Sequence, residues 1–155
     1  MEALLFVGIQ GTGKTSFYKE RFFQTHLRIS RDMLRTRARQ NLLIAACLAA
    51  KQPFVVDDTN VTKTRRAEHI AAAKSAGFRV IGFYFRSPLG AALRRNRERP
   101  PDRVIPAAGV AGTHKRLEPP TWEEGFDELH LVEVAPGGGF LVRDWPRGKG
   151  PPPKG

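Results

Sequence analysis

A chain of 155 residues, 41% of them hydrophobic, is one domain's worth and buries a real core, leaving no room for a second catalytic domain. Lys+Arg 26 against Asp+Glu 15 gives a net charge of +11, which attracts polyanions and repels cations. The single cysteine, Cys47, in an Ala-rich apolar run, excludes a disulfide framework or a cysteine zinc cluster, and no apolar run is long enough for a membrane span, so a cytoplasmic protein is expected.

Residues 3–7 form a short continuous apolar run, as a strand covered on both faces requires. Directly behind it, Gly8-Ile9-Gln10-Gly11-Thr12-Gly13-Lys14-Thr15 fits the G-x-x-x-x-G-K-[ST] phosphate-binding pattern without a mismatch, and residues 15–23 read as the helix that such a loop feeds. Successive backbone N–H groups and the helix N-terminus then converge on one anion. This assigns Gly8, Gln10, Gly11, Thr12, Gly13, Lys14, Thr15 and Ser16 to ATP or another nucleoside triphosphate, with Lys14 on the β- and γ-phosphates and the Thr15 hydroxyl on Mg²⁺.

Residues 27–29 alternate as a brief second strand, and Ser30 caps one long helix with Leu34, Ala38, Leu42, Ala45 and Ala49 as its apolar stripe. Residues 53–58 are an apolar run ending in two carboxylates, a third strand with Asp57 or Asp58 at its ligand-binding edge as the metal's acid. Thr62 caps a helix that stops at Gly77. Residues 78–85 are the fourth strand, and Ser87-Pro88 opens another helix, which ends in a basic segment holding Arg94, Arg95, Arg97, Arg99 and Arg103. A long flexible loop through residues 107–112 follows, then a last strand at 129–134.

Strands alternating with helices imply a doubly covered sheet with right-handed crossovers. The expected fold is an adenylate-kinase-like α/β P-loop domain with a five-stranded parallel sheet. It spans residues 1–135 with an Arg-rich lid at about 94–118. Residues 136–155 form a Gly/Pro-rich basic tail, partly disordered, in which Phe140, Leu141, Val142 and Trp145 dock on the core.

Asp32 falls in the first turn of a helix on the phosphate-loop side of the sheet, flanked by Arg31 and Arg35. A carboxylate there can take a proton from a substrate hydroxyl, with the arginines holding a substrate phosphate. The lid arginines can close over the triphosphate and stabilise the transferring group. His26, His69, His114 and His130 show no ligand spacing.

The phosphate loop, Ile29-Ser30-Arg31-Asp32-Met33-Leu34-Arg35, Val55-Val56-Asp57-Asp58-Thr59-Asn60, Arg95-Asn96-Arg97-Glu98-Arg99 and Glu124-Gly125-Phe126-Asp127 follow in the order seen in polynucleotide 5′-kinases. Over about residues 3–134 the chain resembles that family; the R-D-x-x-R and R-N-x-x-R elements carry the likeness, since D-T-N and E-G-F recur in other small P-loop kinases. The resemblance implies that Asp32 is the general base for a 5′-hydroxyl of DNA or RNA. It implies that Arg35 contacts the phosphate 3′ to the terminal nucleoside, and that Arg95 and Arg99 are lid arginines on the ATP phosphates. Family members place the metal's acid at the position of Asp57 or of Asp58. The phosphatase module of bifunctional members has no counterpart here.

The expected activity is therefore ATP- and Mg²⁺-dependent transfer of the γ-phosphate to a nucleic-acid 5′-hydroxyl, with Lys14, Asp32 and Arg99 catalytic. Arg28, Arg31, Arg35 and the tail cations Arg147, Lys149 and Lys154 are the expected phosphate contacts. The rivals are a small-molecule kinase of the gluconate, shikimate or toxin type, and an ATP-dependent nucleic-acid-binding switch. A sugar acceptor gives no reason for a charge of +11.

Overall fold

In the computed structural model, which describes residues 1–155, the most apolar runs of the chain become the central strands of one sheet. Strand β1 (Glu2–Val7) is buried from Ala3 to Val7 and lies between β3 (Phe54–Val56) and β4 (Arg79–Phe85), parallel to both. Strand β2 (Leu27–Ile29) pairs with β3, and β5 (Glu128–Val134) pairs with β4, again in parallel. Strand β6 (Phe140–Asp144) adds antiparallel to β5, giving the order β2-β3-β1-β4-β5-β6.

Side chains alternate across the sheet and so supply two cores. Ala3 and Leu5 join Ile44 and Cys47 of α3 (Arg37–Ala50) and Ile70 and Ala73 of α4 (Lys63–Ser75). Leu4 and Phe6 face α1 (Lys14–Arg21), where Phe6 packs edge-on to Phe17 and Phe85 with ring centroids 5.9 and 4.9 Å apart. A third cluster, under α5 (Leu89–Arg97) and α6 (Ala107–Arg116), joins Val7 and Ile9 to Ala92 and Val110.

Three features depart from the sequence-based expectation. The sheet has six strands, five parallel and one antiparallel. The sixth comes from the stretch read as a tail, because Phe140 stacks edge-on to Phe17 at 5.1 Å and Trp122 donates its indole N–H to the Pro146 carbonyl at 3.0 Å. The long helix expected after Ser30 is instead two: one turn, α2 (Arg31–Leu34), stops at Arg35 with φ of 72°, and Thr36 caps α3 by accepting from the Arg39 N–H. That break resets the helical phase, so α3 buries Gln40, Ile44 and Cys47, while Leu42 of the expected stripe is 71% exposed. Finally, the loop expected through residues 107–112 is the helix α6, because packing of fully buried Val110 outweighs the poor helix propensity of Gly109 and Gly112.

The elements behind the phosphate loop are joined by a buried charge pair. Fully buried Arg66 on α4 donates Nε and Nη2 to the Glu124 carboxylate at 2.7 and 3.0 Å, and Nη1 to the Asn60 carbonyl at 2.8 Å. Glu124 also accepts from the Thr121 N–H at 2.8 Å. Removing one partner of such a pair strands the other charge in a dry site, so Glu124→Ala is expected to destabilise the domain by about 3–5 kcal/mol. Urea unfolding of Glu124→Ala and Glu124→Gln, with the amide intermediate in cost, measures this.

Candidate active site

The parallel strands end at one edge, and the chain leaving β1 there has no room for side chains. Gly11 has φ of +79°, and a Cβ on it would lie 2.2 Å from the Ala92 carbonyl oxygen of α5. Any larger residue pushes α5 off the loop. The Thr12 hydroxyl donates to the Ile9 carbonyl at 2.8 Å, and the Gly8 N–H donates to the Thr59 carbonyl at 3.0 Å, so the loop is braced from within and from the segment after β3. The Lys14 ammonium arches back to donate to the Gly8 and Ile9 carbonyls, both at 2.8 Å. Burial pushes its pKa down to about 8, against the opposing pull of Asp57 and Asp58.

Both candidate metal acids line the cleft over the phosphate loop, and they differ in their partners. Asp57, buried, takes the Thr15 hydroxyl on Oδ2 at 3.0 Å, whereas Asp58 is occupied by the Gln40 side-chain amide at 3.3 Å and the Thr59 N–H at 3.1 Å. One hydroxyl and one carboxylate facing a phosphate loop suit Mg²⁺, which takes one or two carboxylates and completes its shell with phosphate oxygens and water. No cluster of three or more His, Cys, Asp or Glu competes with that site.

Two adjoining clefts open over this edge. The smaller, about 410 Å³, lies over Gly11, Lys14, Thr15 and Ser16 and is walled by Asp57, Asp58 and Arg95. The larger, about 670 Å³, lies over α2 and is lined by Arg31, Asp32, Met33, Arg35 and Arg103. Thr15, Arg28, Asp32, Arg99 and Ile105 border both. The Asp32 side chain is 86% exposed, with Oδ2 3.9 Å from Nη2 of Arg99. Arg95 reaches the loop, donating to the Gly11 carbonyl at 3.3 Å and the Ser87 hydroxyl at 3.2 Å. The positive φ of Arg35, a conformation costing about 1–3 kcal/mol in a non-glycine residue, turns α2 so that its side chain lines the larger cleft.

The structure thus gathers the loop residues, Asp32, Arg31, Arg35, Arg95, Arg99, Asp57 and Asp58, of which Asp58 also accepts from the Thr59 N–H in the loop after β3. The tail cations lie elsewhere: Arg147 sits 4.2 Å over Trp122, Lys149 is 4.9 Å from the Trp145 ring centroid, and Lys154 donates to the His114 and Lys115 carbonyls. Arg28, expected only as a nucleic-acid contact, is the residue whose role the sequence reading missed, since it bonds to both Asp57 and Thr15. A charged residue at the centre of a three-residue strand was the available signal.

A model of the AAA domain family matches residues 4–120, and the chain belongs to that family. It is similar to the L-seryl-tRNA(Sec) kinase of Methanococcus maripaludis, with 29% identity over 87 residues, 56% of this chain and 33% of that enzyme. The match thus spans about a third of the curated relative's length. Among solved structures, Kti12 of Chaetomium thermophilum in complex with ADP-AlF3 superposes with a TM-score of 0.61 and 20% identity, covering 84% of this chain and 88% of that one. A gluconokinase from Sinorhizobium meliloti superposes with a TM-score of 0.60 and 17% identity, covering 86% and 83%. These likenesses establish a P-loop, kinase-like α/β fold, in a family that binds nucleotides.

The depressed Lys14 value sets the sign of a pH effect. The folded protein releases this proton near pH 8 and the unfolded chain near 10.5, so the cost of burying the charge is fully present below pH 8 and disappears as the pH rises toward 10.5. Lys14→Met is expected to melt at a higher temperature than wild type at pH 7, a gain of at most ~3 kcal/mol, with the gap closing above pH 8. The same variant is expected to lose nucleotide binding. Thermal melts across pH 7–10 and nucleotide titration check both.

Proposed function

From a kinase-like AAA domain whose two clefts meet at one carboxylate, we propose a phosphotransferase that moves the γ-phosphate of ATP to the 5′-hydroxyl of a nucleic-acid end. The observation that carries this reading is the position of Asp32, on the border of both clefts with Arg99 beside it and Arg31 and Arg35 beyond it. The nucleotide occupies the smaller cleft, its phosphates on the loop N–H groups, Lys14 and Arg95. The acceptor enters the larger cleft, its phosphate on Arg35 and Arg31, which brings the terminal hydroxyl to Asp32. As the hydroxyl oxygen bonds to the γ-phosphorus and the bond to the β-phosphate oxygen breaks, Asp32 takes the hydroxyl proton and Arg99 stabilises the charge on the transferring group. Thr15 and Asp57 would hold Mg²⁺, which would supply positive charge against the phosphates as the γ-phosphate transfers.

A second reading is favoured by the curated relative, whose name places its acceptor, a seryl group, on a tRNA. Both readings deliver a hydroxyl on an RNA-sized polyanion, and the net charge of +11 suits either better than a free sugar such as gluconate. Incubation with γ-labelled ATP, Mg²⁺ and a panel of 5′-hydroxyl DNA and RNA oligonucleotides, nucleosides, seryl-tRNA and gluconate identifies the acceptor by which species takes the label.

With that acceptor, Asp32→Asn is expected to lower turnover by about two to four orders of magnitude while leaving ATP affinity nearly unchanged. An equal loss of ATP affinity assigns Asp32 a structural role instead. Arg35→Ala is expected to raise KM for acceptors carrying a 3′-phosphate and to leave KM for a nucleoside lacking one almost unaltered, as steady-state kinetics on the two acceptors will show.

A further inference from the structure

Of the arginines around the two clefts, Arg28 is the one bonded to the metal-side pair. Its strand places it there: Arg28 is in register with Val55, and Asp57 lies two residues beyond Val55, so Arg28 and Asp57 share a sheet face. Arg28 Nε donates to Asp57 Oδ2 at 2.7 Å and Nη2 donates to Thr15 Oγ1 at 3.2 Å, while the Thr15 hydroxyl donates to that same Oδ2 at 3.0 Å. The three groups form a closed triangle around the two oxygens that face the phosphate loop.

This arrangement solves one problem and creates another. The Asp57 side chain is only 3% exposed, and a buried carboxylate needs a counter-charge. Arg28 supplies it. But Oδ2 already accepts from both Arg28 Nε and the Thr15 hydroxyl, so a cation that took this oxygen as a ligand would have to displace one of those donors. The ion and Arg28 compete for the same oxygens.

We infer that Arg28 is a built-in counter-ion of Asp57 that exchanges with the divalent cation when the metal–nucleotide complex loads, and that the released guanidinium swings into the larger cleft. The inference rests on the reading of the smaller cleft as the metal–nucleotide site. The exit is open: Arg28 borders both clefts and its side chain is 24% exposed, so a rotamer change carries the guanidinium from Asp57 toward the side of Arg31 and Arg35. Loading the donor site then adds a positive charge to the acceptor cleft at the moment an anionic acceptor is needed. By linkage, a bound polyanion that draws Arg28 away makes Asp57 available to the metal and tightens its binding. Arg28 is thus a positioning residue that couples the two sites.

The test titrates Mg²⁺ into a fixed concentration of fluorescent ADP with wild type, Arg28→Gln and Arg28→Lys. If Arg28 competes with the ion, the Mg²⁺ concentration for half-maximal ADP binding falls about fivefold or more in Arg28→Gln and stays near wild type in Arg28→Lys, which keeps the charge. A merely structural arginine predicts the opposite, a higher Mg²⁺ requirement on its loss, and an unchanged or raised midpoint in Arg28→Gln overturns the exchange. In wild type, Mg²⁺ with ADP should raise affinity for a 5′-hydroxyl oligothymidylate over ADP alone, and this gain should disappear in Arg28→Gln. A gain that survives the substitution overturns the movement into the acceptor cleft. The Arg28 Nε–H signal, followed by NMR in wild type and assigned by its loss in Arg28→Lys, keeps the exchange testable if Arg28→Gln does not fold. It should shift with Mg²⁺ and ADP together and not with ADP alone, and a signal that stays in place overturns the proposal. A wild-type protein whose ADP affinity ignores Mg²⁺ overturns the metal reading and the exchange together, whereas one that binds Mg²⁺ and ADP but no oligonucleotide overturns the polynucleotide acceptor and the coupling alone.

Discussion

The backbone carbonyl of Phe6, at the end of a strand buried on both faces, must find a donor where no water reaches it, and the geometry of the site follows from how it does. Its donor is the side-chain amide of Asn60, at 2.7 Å. Asn60 presents that amide from a left-handed backbone conformation, φ of 47°, which asparagine tolerates better than most residues, and its own carbonyl is held by Arg66. Arg66 in turn is neutralised by Glu124, which fastens the turn before β5. One chain of hydrogen bonds therefore runs from the end of β1 through the loop after β3 to α4 and the start of the last parallel strand. It fixes the loop after β3, and with it Thr59, whose carbonyl anchors Gly8, and Asp57, which meets Thr15. Asn60, next to the acids at this edge, is used to hold the machinery still.

That division of labour explains which parts were legible in the sequence. The phosphate loop was readable because its chemistry demands particular residues at particular spacing: Gly11 has no space for a Cβ against α5, and Lys14 and Thr15 must open the following helix. The central strands β3, β1 and β4 were readable because strands covered on both faces are continuously apolar, and β2 by its apolar alternation. The bond from Thr15 to Asp57 was not, because nothing local says which of two neighbouring acids beyond β3 meets the Thr15 hydroxyl. The break at Arg35 was hidden since it depends on a positive φ at an arginine, which no propensity suggests, and every helical phase assigned beyond it was consequently wrong. β6 and α6 are held by tertiary contacts of Phe140 and Val110, which outweigh flanking glycines that read locally as flexible. Arg28 was visible as a charge out of place in a strand, but its meaning required the partner 29 residues away.

The net charge of +11 also acquires a location. Arg37, Arg79, Arg86 and Arg143 are engaged by Glu68, Glu128 and Glu133 on the surface, Arg66 by Glu124 in the interior, and Arg147 and Lys149 by tryptophan rings. Exposed pairs of this sort stabilise little, but they cancel the field where they stand. The cations around the larger cleft are balanced differently. Arg31, Arg35, Arg99 and Arg103 face it against only Asp32 and Asp102, with Arg28 held by Asp57 and Asp32 mostly in solvent. A cleft bounded by protein and lined by one sign of charge concentrates the field there rather than spreading it over the surface.

This focusing bears on how such a domain would choose its acceptor. A neutral polyol entering the larger cleft would displace water from an excess of guanidinium groups without supplying counter-charge, whereas an acceptor bringing its own phosphates replaces that water with charge-assisted hydrogen bonds. Only Met33 and Ile105 line the cleft as apolar residues, and no aromatic ring is present on which a particular base would stack. Recognition built this way reads backbone charge and is indifferent to base identity. That is the property a modifier of chain ends requires, since the hydroxyl at an end is preceded by no fixed sequence. On the proposed reading the same reasoning sets the demand on Asp32: arginines lining its cleft would fix the acceptor's register before the hydroxyl arrives, so that an exposed carboxylate would need no further group to orient the attacking oxygen.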